Sequence, residues 1–400
     1  MAGITGMGTT FNLPNYHGEL FSLTPSSTPF LSAIGGLTGG GQTSAVEFEW
    51  QTSDLRDPSQ RVKVEGAAAP TAEQRVRANV RNVAQIHQEK VSVSYTKQAT
   101  NAQVTTPSSA PYRGVDGSNP VTNELDWQVV EALKSIALDV NWSFINGVYA
   151  NPTTNSTPRK TRGILAAVTT NRITKGTSVT GLSSATDTIT ETATALVDGD
   201  EIVFTSTGDA TNIVAGRVYY VVSKATNTFK VATTPGGTAL TLGTSTSNIN
   251  YTKPWSTALT PVHVGDLMQM AYDNGGISEQ ETATLVVNSR QKRALSTAYA
   301  EAYGKFQETS RTVGGVNVDT ITTDFGVLNV MLDRHMPQDT LLVCSMEQLM
   351  PVFLNTPGKG VFFEEPLAKT GASDDVQLYG EIGLKYGAET AHAVMTGLAV

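Results

Sequence analysis

Apolar residues recur every three or four positions from Val121 to Tyr149, and the pattern predicts one long helix. Val129, Leu133, Ile136, Val140, Phe144 and Val148 make a continuous stripe, and the first five are its expected core face. Leu125, Leu138, Trp142 and Ile145 make a second stripe beside it. A face that wide needs neighbours on more than one side. Pro120 and Thr122 precede the helix, Glu124 and Asp126 occupy its first turn, and Gly147, Asn151 and Pro152 end it. About 27 residues at a rise of ~1.5 Å reach roughly 40 Å, the length of a strut.

Two stretches alternate with period two instead. Residues 44–54 set Val46, Phe48 and Trp50 against Glu47, Glu49 and Gln51. Residues 81–99 alternate through Val83, Gln85, His87, Val91, Val93 and Tyr95. They read as two long strands joined by a polar, small-residue tip at 55–80, a ribbon projecting from the body. An isolated hairpin is marginal in water, so a partner surface outside the ribbon's own fold is expected. The competing reading is two strands of an ordinary sheet. Ahead of the ribbon, residues 1–41 form an arm rich in Gly, Thr, Ser and Pro. Its isolated anchors are Phe11, Leu13, Tyr16, Leu20, Phe21, Phe30 and Leu31. GGLTGGGQT at 35–43 reads as a flexible hinge.

From 175 to 253 the pattern changes again, to short strands: DTITETA, DEIVFTS, RVYYVVSKA, NTFKVATT and TALTLG. Gly, Asp-Gly and Asn signals separate them. This predicts a small all-β unit, a sandwich or barrel. Its composition differs from both flanks, so it reads as an inserted domain whose ends lie close together. Beyond it, Thr260–Tyr272 and the run RQKRALSTAYAEAYGKF predict helices. ATLVVNS and DTLLVCS predict buried strands, and two or three strands are expected between them at 312–337. MEQLMPVFL reads as a short helical or irregular piece, 355–375 as a loop, and 379–398 as one or two closing strands. The mixture is α+β.

Composition narrows the function. The net charge of −8 argues against coating nucleic acid by bulk charge. Residues 54–97, however, hold eight Lys/Arg against five Asp/Glu, so a +3 segment sits in a chain whose remainder is −11. Such a split favours attraction between copies. Arg56, Arg61, Lys63, Arg75, Arg77 and Arg81 on this segment, and Glu364 and Glu365 on a distant one, are the candidate inter-subunit contacts. Cys344 is the only cysteine, in the apolar run LLVC, and reads as a buried small residue. No apolar run has the length of a membrane span, and the N-terminus has no signal or transit pattern. Synthesis in the cytosol with no membrane step is expected.

Candidate chemistry is sparse. His17, His87, His263, His335 and His392 form no metal-binding spacing, and there is no GxSxG elbow or phosphate loop. Asp333-Arg334-His335 resembles a catalytic pair by letters, but its place after a strand makes a charged turn the better reading. Asn141-Trp-Ser matches a glycosylation acceptor, which means little without secretion. No catalytic residue, cofactor or metal is expected.

The order of parts resembles the major capsid proteins of tailed double-stranded DNA bacteriophages, the Hong Kong 97-type fold. The local likeness lies in NELDWQVVEALKSIALDVNWSFINGVY, PRKTRGIL, TDFGVLNVMLDRHMPQDTLLV and YGEIGLKYGAETAHAVMTGL. The resemblance implies an N-terminal arm at 1–41, an extended β-hairpin loop at 42–100 and a peripheral domain at 101–174 with spine helix 121–149. It implies an axial domain at 256–378 and closing peripheral strands at 379–400. The stretch 175–255, a small Ig-like insertion, departs from the plain pattern. The implied function is self-assembly into hexamers and pentamers of an icosahedral shell around the DNA genome, built in the host cytoplasm. The extended loop would lie over a neighbour and the arm beneath another. The implied partners are a portal, a separate scaffolding protein, a possible decoration protein and, indirectly, the packaged DNA. The alternative is another virion component, a tail or decoration protein with a glycan-binding β-domain.

Overall fold

The computed structural model describes residues 26–56, 58–100, 124–255, 258–276, 283–303, 319–368 and 371–399. The first part of the chain contains α1 (Pro29–Ala33), β1 (Gly41–Thr43), β2 (Glu47–Ser53), β3 (Arg77–Val83), β4 (Gln85–Ser94) and α2 (Tyr95–Thr100). The long helix α3 (Glu124–Asn146), the short α4 (Ile164–Ala167) and β5 (Arg172–Thr174) follow. Next come β6 (Thr177–Ala185), β7 (Thr188–Thr190), β8 (Glu201–Thr207), β9 (Val218–Val222), β10 (Thr228–Ala232) and β11 (Ser245–Lys253). Then come α5 (Pro261–Asp273), β12 (Ala283–Val287), α6 (Ser289–Tyr303), β13 (Thr320–Thr323), β14 (Gly326–Leu332) and β15 (Leu341–Ser345). The chain ends through β16 (Met350–Leu354), β17 (Phe362–Pro366), β18 (Ser373–Lys385) and β19 (Ala393–Thr396).

Three sheets and a ribbon result. One sheet runs β1-β16-β18-β17, with β4 also pairing along β18. A second runs β13-β14-β12-β15-β19-β5. Strands β6 to β11 close into a barrel, and among the described residues β2 pairs only with β3. The second sheet is buried on both faces. Val286, Leu342, Cys344 and Val394 point into the core shared with α3. Their neighbours Leu285, Val287, Leu341, Val343 and Met395 point into a second core with α5 and α6. Burial on both faces is why ATLVV and LLVC read as unbroken apolar runs rather than alternating ones. The barrel has its own filled interior, centred on Phe204, Phe229, Val231, Ile249 and Tyr251.

Helix α3 packs on β4 and β18, with Ile136 3 % exposed and Val140 and Phe144 fully buried. Val129 is partly buried against the same core. Leu133 is not in that core: it is 38 % exposed, and Val148 lies beyond the helix and is exposed. The buried line runs through Ala132, Ile136, Val140, Ser143 and Phe144 instead. A spacing rule weighted by hydropathy prefers Leu133 to Ala132, one position and about 100° away on the helix. Of the second stripe, Ile145 is fully buried and Trp142 is exposed. The helix stops at Asn146 because two glycine backbones cross there. Gly163 N donates to Gly147 O at 2.8 Å, and a Cβ on Gly147 would meet Thr161 O at 2.6 Å.

The ribbon is shorter than the alternation suggests. β2 pairs with β3 in register from Glu47↔Val83 to Ser53↔Arg77. At Ala84 the chain changes sheets, and β4 runs along β18 for ten residue pairs, from Ser373↔Ser94 to Ile382↔Gln85. The second expected strand is therefore mostly an ordinary body strand. Continuous alternation across residue 84 hides a change of partner, because period two reports a strand and not what it pairs with.

Other expectations also shift. The barrel is one closed sheet and not an Ig-like sandwich. TALTLG contributes buried Leu242 but no strand, while TSVTGLSSA and STSNINYTK supply β6 and β11. MEQLMPVFL opens on a short 3-10 helix at Met346–Gln348, as expected, but continues as strand β16, and FFEEP in the expected loop is strand β17. Closing strand β19 belongs to the six-stranded sheet, not to the one holding β18. The end of the 35–43 stretch is packed rather than a free hinge: a Cβ on Gly40 would sit 2.2 Å from Pro351 O. Of the arm anchors, Phe30 and Leu31 are buried in the core of their own chain; Phe11, Leu13, Tyr16, Leu20 and Phe21 lie outside the described residues.

Candidate functional site

One cluster of buried polar groups lies where α3, α1 and the end of β14 meet. Asp333 and Asn141 are both fully buried. Asn141 Nδ2 donates to Asp333 Oδ2 at 3.0 Å and lies 2.8 Å from His335 Nδ1. Asn141 Oδ1 accepts from Leu31 N at 2.8 Å, and Asp333 accepts from Phe30 N at 3.3 Å and His335 N at 2.8 Å. Asn146 Nδ2 donates to His335 O at 2.8 Å. Burial alone would raise the Asp333 carboxyl. The hydrogen bonds from His335 and Asn141 overcome that and hold it below the usual carboxylate range. The Asp-Arg-His run is thus a charged turn that pins the arm's short helix to the long helix. Asn141 in the NWS match has no access to solvent.

A second convergence roots the ribbon. Asn82 is fully buried; its Nδ2 donates to Leu384 O at 2.7 Å and Arg162 O at 3.1 Å, and its Oδ1 accepts from Arg162 N at 2.8 Å. Trp50 Nε1 donates to Gly387 O at 2.7 Å. Gly383 makes room: a Cβ there would meet the Phe48 ring at 2.6 Å and Val83 O at 2.7 Å. The PRKTRGIL segment, through Thr161 and Arg162, therefore clamps the ribbon root to β18.

Beyond the root, the ribbon leaves the body. Glu73 gathers three of the candidate contact residues: Arg61 at 2.6 Å, Arg75 at 3.3 Å and Arg56 at 3.9 Å. The Arg61 hydrogen bond, with help from Arg75 and Arg56, holds Glu73 below its usual range. Arg81 pairs with Glu47 across the ribbon at 3.4 Å. Lys63 and Arg77 are exposed with no ion pair among the described residues. Glu364 and Glu365 sit on edge strand β17, the latter paired with Lys359. The structure does not bring these two glutamates to the basic segment within one chain.

Asn82, Asn141 and the Lys90–Asp375 ion pair were hidden in the sequence, whereas Cys344 is the buried small residue expected. Asn82 and Asn141 carried no signal apart from standing in apolar-patterned elements. The ion pair of Lys90 with Asp375, 2.7 Å, holds β4 to β18 and, with Ser92, brings the Asp375 carboxyl down to about 2. Cys344 is fully buried, and burial pushes its thiol up to about 12, which leaves it unreactive. Among the described residues no group of His, Cys, Asp and Glu could hold a metal, and no helix is long and apolar enough to cross a membrane.

An arm pinned to a long helix, a ribbon rooted on one sheet, and a second sheet between two cores are the parts that the resemblance to capsid subunits of the Hong Kong 97-type fold implies. The family model of the SU10 major capsid protein matches residues 3–399, and the chain belongs to that family. Among solved structures, the chain is similar to the cyanophage A-1(L) capsid asymmetric unit, at 11 % identity and TM-score 0.55 over 99 % of each chain. It is also similar to the capsid of the native GTA particle, at 11 % identity and TM-score 0.50, over 99 % of this chain and 98 % of that one. These two likenesses show the fold. No curated protein matches. The protein is a structural subunit that forms the shell of a phage, and a component of the virion. The tail or decoration alternative gives way to the family assignment.

Proposed function

We propose that copies of this chain assemble as hexamers and pentamers around double-stranded DNA, with the ribbon of each copy lying over its neighbour. The observation that carries this is the ribbon tip. Leu55, Val62, Val64 and Val76 are between 74 % and 82 % exposed on a segment that no other described part of the chain covers. Four large apolar side chains in one exposed segment mark a surface that meets a partner. Lys63 and Arg77, without an ion pair among the described residues, lie on the same segment, and Glu364 offers the opposite sign on an edge strand. We assign Arg56, Arg61 and Arg75 the role of stiffening the tip through Glu73.

In this reading the six-stranded sheet with α5 and α6 is the axial region, and α3 with the β18 sheet is the peripheral region. The barrel is an insertion on the shell surface, available to a decoration protein. A portal and a separate scaffolding protein complete the particle, assembly takes place in the host cytoplasm, and the protein has no catalytic activity of its own. The test is deletion of residues 56–75 with a short turn in their place. A chain that folds but no longer forms closed shells in negative-stain micrographs supports the proposal. Shells of normal size from the shortened chain would overturn it.

A further inference from the structure

The cleft where the barrel meets the body is a separate site. It encloses about 740 Å³, a size typical of small-molecule pockets, between the 214–220 turn of the barrel and the 332–338 corner of the body. Arg217, Arg290 and Arg334 all line it. Among the described residues Asp333 is the only carboxylate on its wall, and its oxygens are engaged by Asn141, Phe30 and His335. None of the three arginines has an ion pair among the described residues.

Arg290 is the most telling of the three. One terminal nitrogen approaches Tyr220 Oη at 3.4 Å. The other, Nη1, is buried without an acceptor among the described residues. A desolvated guanidinium N–H with no partner is unfavourable, and an oxyanion supplies the missing acceptors for a planar fork of donors. Trp142, 41 % exposed, and Tyr220 put aromatic surface on the same walls.

We propose that this cleft is a phosphate-binding pocket, in which Arg217, Arg290 and Arg334 hold a phosphate group and Trp142 offers a face to an attached base. The phosphate belongs either to a free nucleotide or to a DNA backbone. The pocket ties the barrel to the body, so an occupied site would also fix the barrel's position. It stands apart from the ribbon contacts that carry the assembly reading.

Calorimetric titration of the full-length protein with inorganic phosphate, deoxyadenosine monophosphate and a short DNA duplex tests it. Saturable binding of phosphate is expected, weakened about tenfold or more in Arg290→Gln and Arg217→Gln. Trp142→Ala should weaken the nucleotide and leave inorganic phosphate unchanged. A duplex that displaces phosphate identifies DNA as the source; a nucleotide that binds where the duplex does not identifies the free ligand. Absence of saturable binding by all three ligands overturns the proposal, as does undiminished binding in both folded arginine variants. Should either variant fail to fold, the wild-type protein still decides. Phosphate should protect Arg290 from phenylglyoxal, read by peptide mass spectrometry, and equal modification with and without phosphate would refute the pocket.

Discussion

Asp333→Ala tests the junction of arm, long helix and β14. The carboxylate is fully buried and accepts from Phe30 N, His335 N and Asn141 Nδ2. Alanine leaves the first two backbone donors without an acceptor, while Asn141 retains its contact with His335. Each abandoned buried donor costs ~1–3 kcal/mol. Two give ~2–6 kcal/mol, partly offset because a buried charge is also removed. A loss of roughly 3 kcal/mol is expected, a large part of the ~5–15 kcal/mol typical of a folded domain. Asp333→Asn keeps one acceptor oxygen and should lie between. The assay is urea unfolding of the unassembled full-length chain, with limited proteolysis near residues 26–36 as a local readout. The sign of the pH dependence is fixed by the lowered carboxyl. Its contribution is present above the ordinary Asp value and lost as pH falls through the folded one, so wild type should lose its advantage over the alanine variant in acid. An alanine variant within ~0.5 kcal/mol of wild type, with an equally protected arm, would refute this account of the junction.

Three further outcomes are expected. Val140→Asp places a carboxylate at a fully buried site and should cost several kcal/mol and abolish soluble protein. Leu133→Asp, at a site 38 % exposed, should change unfolding by less than ~1 kcal/mol, and equal losses at both sites would contradict the helix packing. Burial holds His87 and His392 neutral, each near 4, so the unfolded chain takes up protons first as pH falls from about 6.5. Stability should decline between those values, and a flat profile from pH 6.5 to 4 in thermal melts would show that these rings are solvated. Lys253 pairs with Thr177 at the base of the barrel, so replacing 177–252 by a short Gly-Ser bridge should leave the body folded by circular dichroism. Recovery only as insoluble protein would mean that the barrel is part of the body's fold.

Much of the fold was legible along the chain. Helical periodicity marked α3, α5 and α6, unbroken apolar runs marked β12 and β15, and a change of composition marked the barrel. Those signals are local: side chains at three, four or two positions' spacing share a face whatever lies opposite. What faces the element is not local. The same alternation runs through β3 and β4, yet one half joins a projecting ribbon and the other a five-stranded sheet, because pairing is decided by β2 and β18. Leu133 outranks Ala132 in hydropathy, but α3 turns the smaller residue inward where β4 and β18 pack closely. FFEEP looks like a loop until β18 offers it a ladder.

The sites follow the same division. Charge arithmetic marked the basic ribbon, and the shortage of catalytic spacing pointed away from enzymes. Tertiary structure alone brought Asn141, Asp333 and Phe30 together across more than a hundred positions of chain, and placed Arg217, Arg290 and Arg334 around one cleft. A buried amide or an unpaired guanidinium has no period, so its partner is set only when separate elements dock. The sequence by itself determined that a long helix follows residue 124 and that a separate all-β unit lies between 175 and 253. The packing of the chain decided which faces were core, which strands were partners, and where charge was left without a counterpart. The reason is that burial and pairing are properties of two surfaces in contact, and a sequence pattern describes only one.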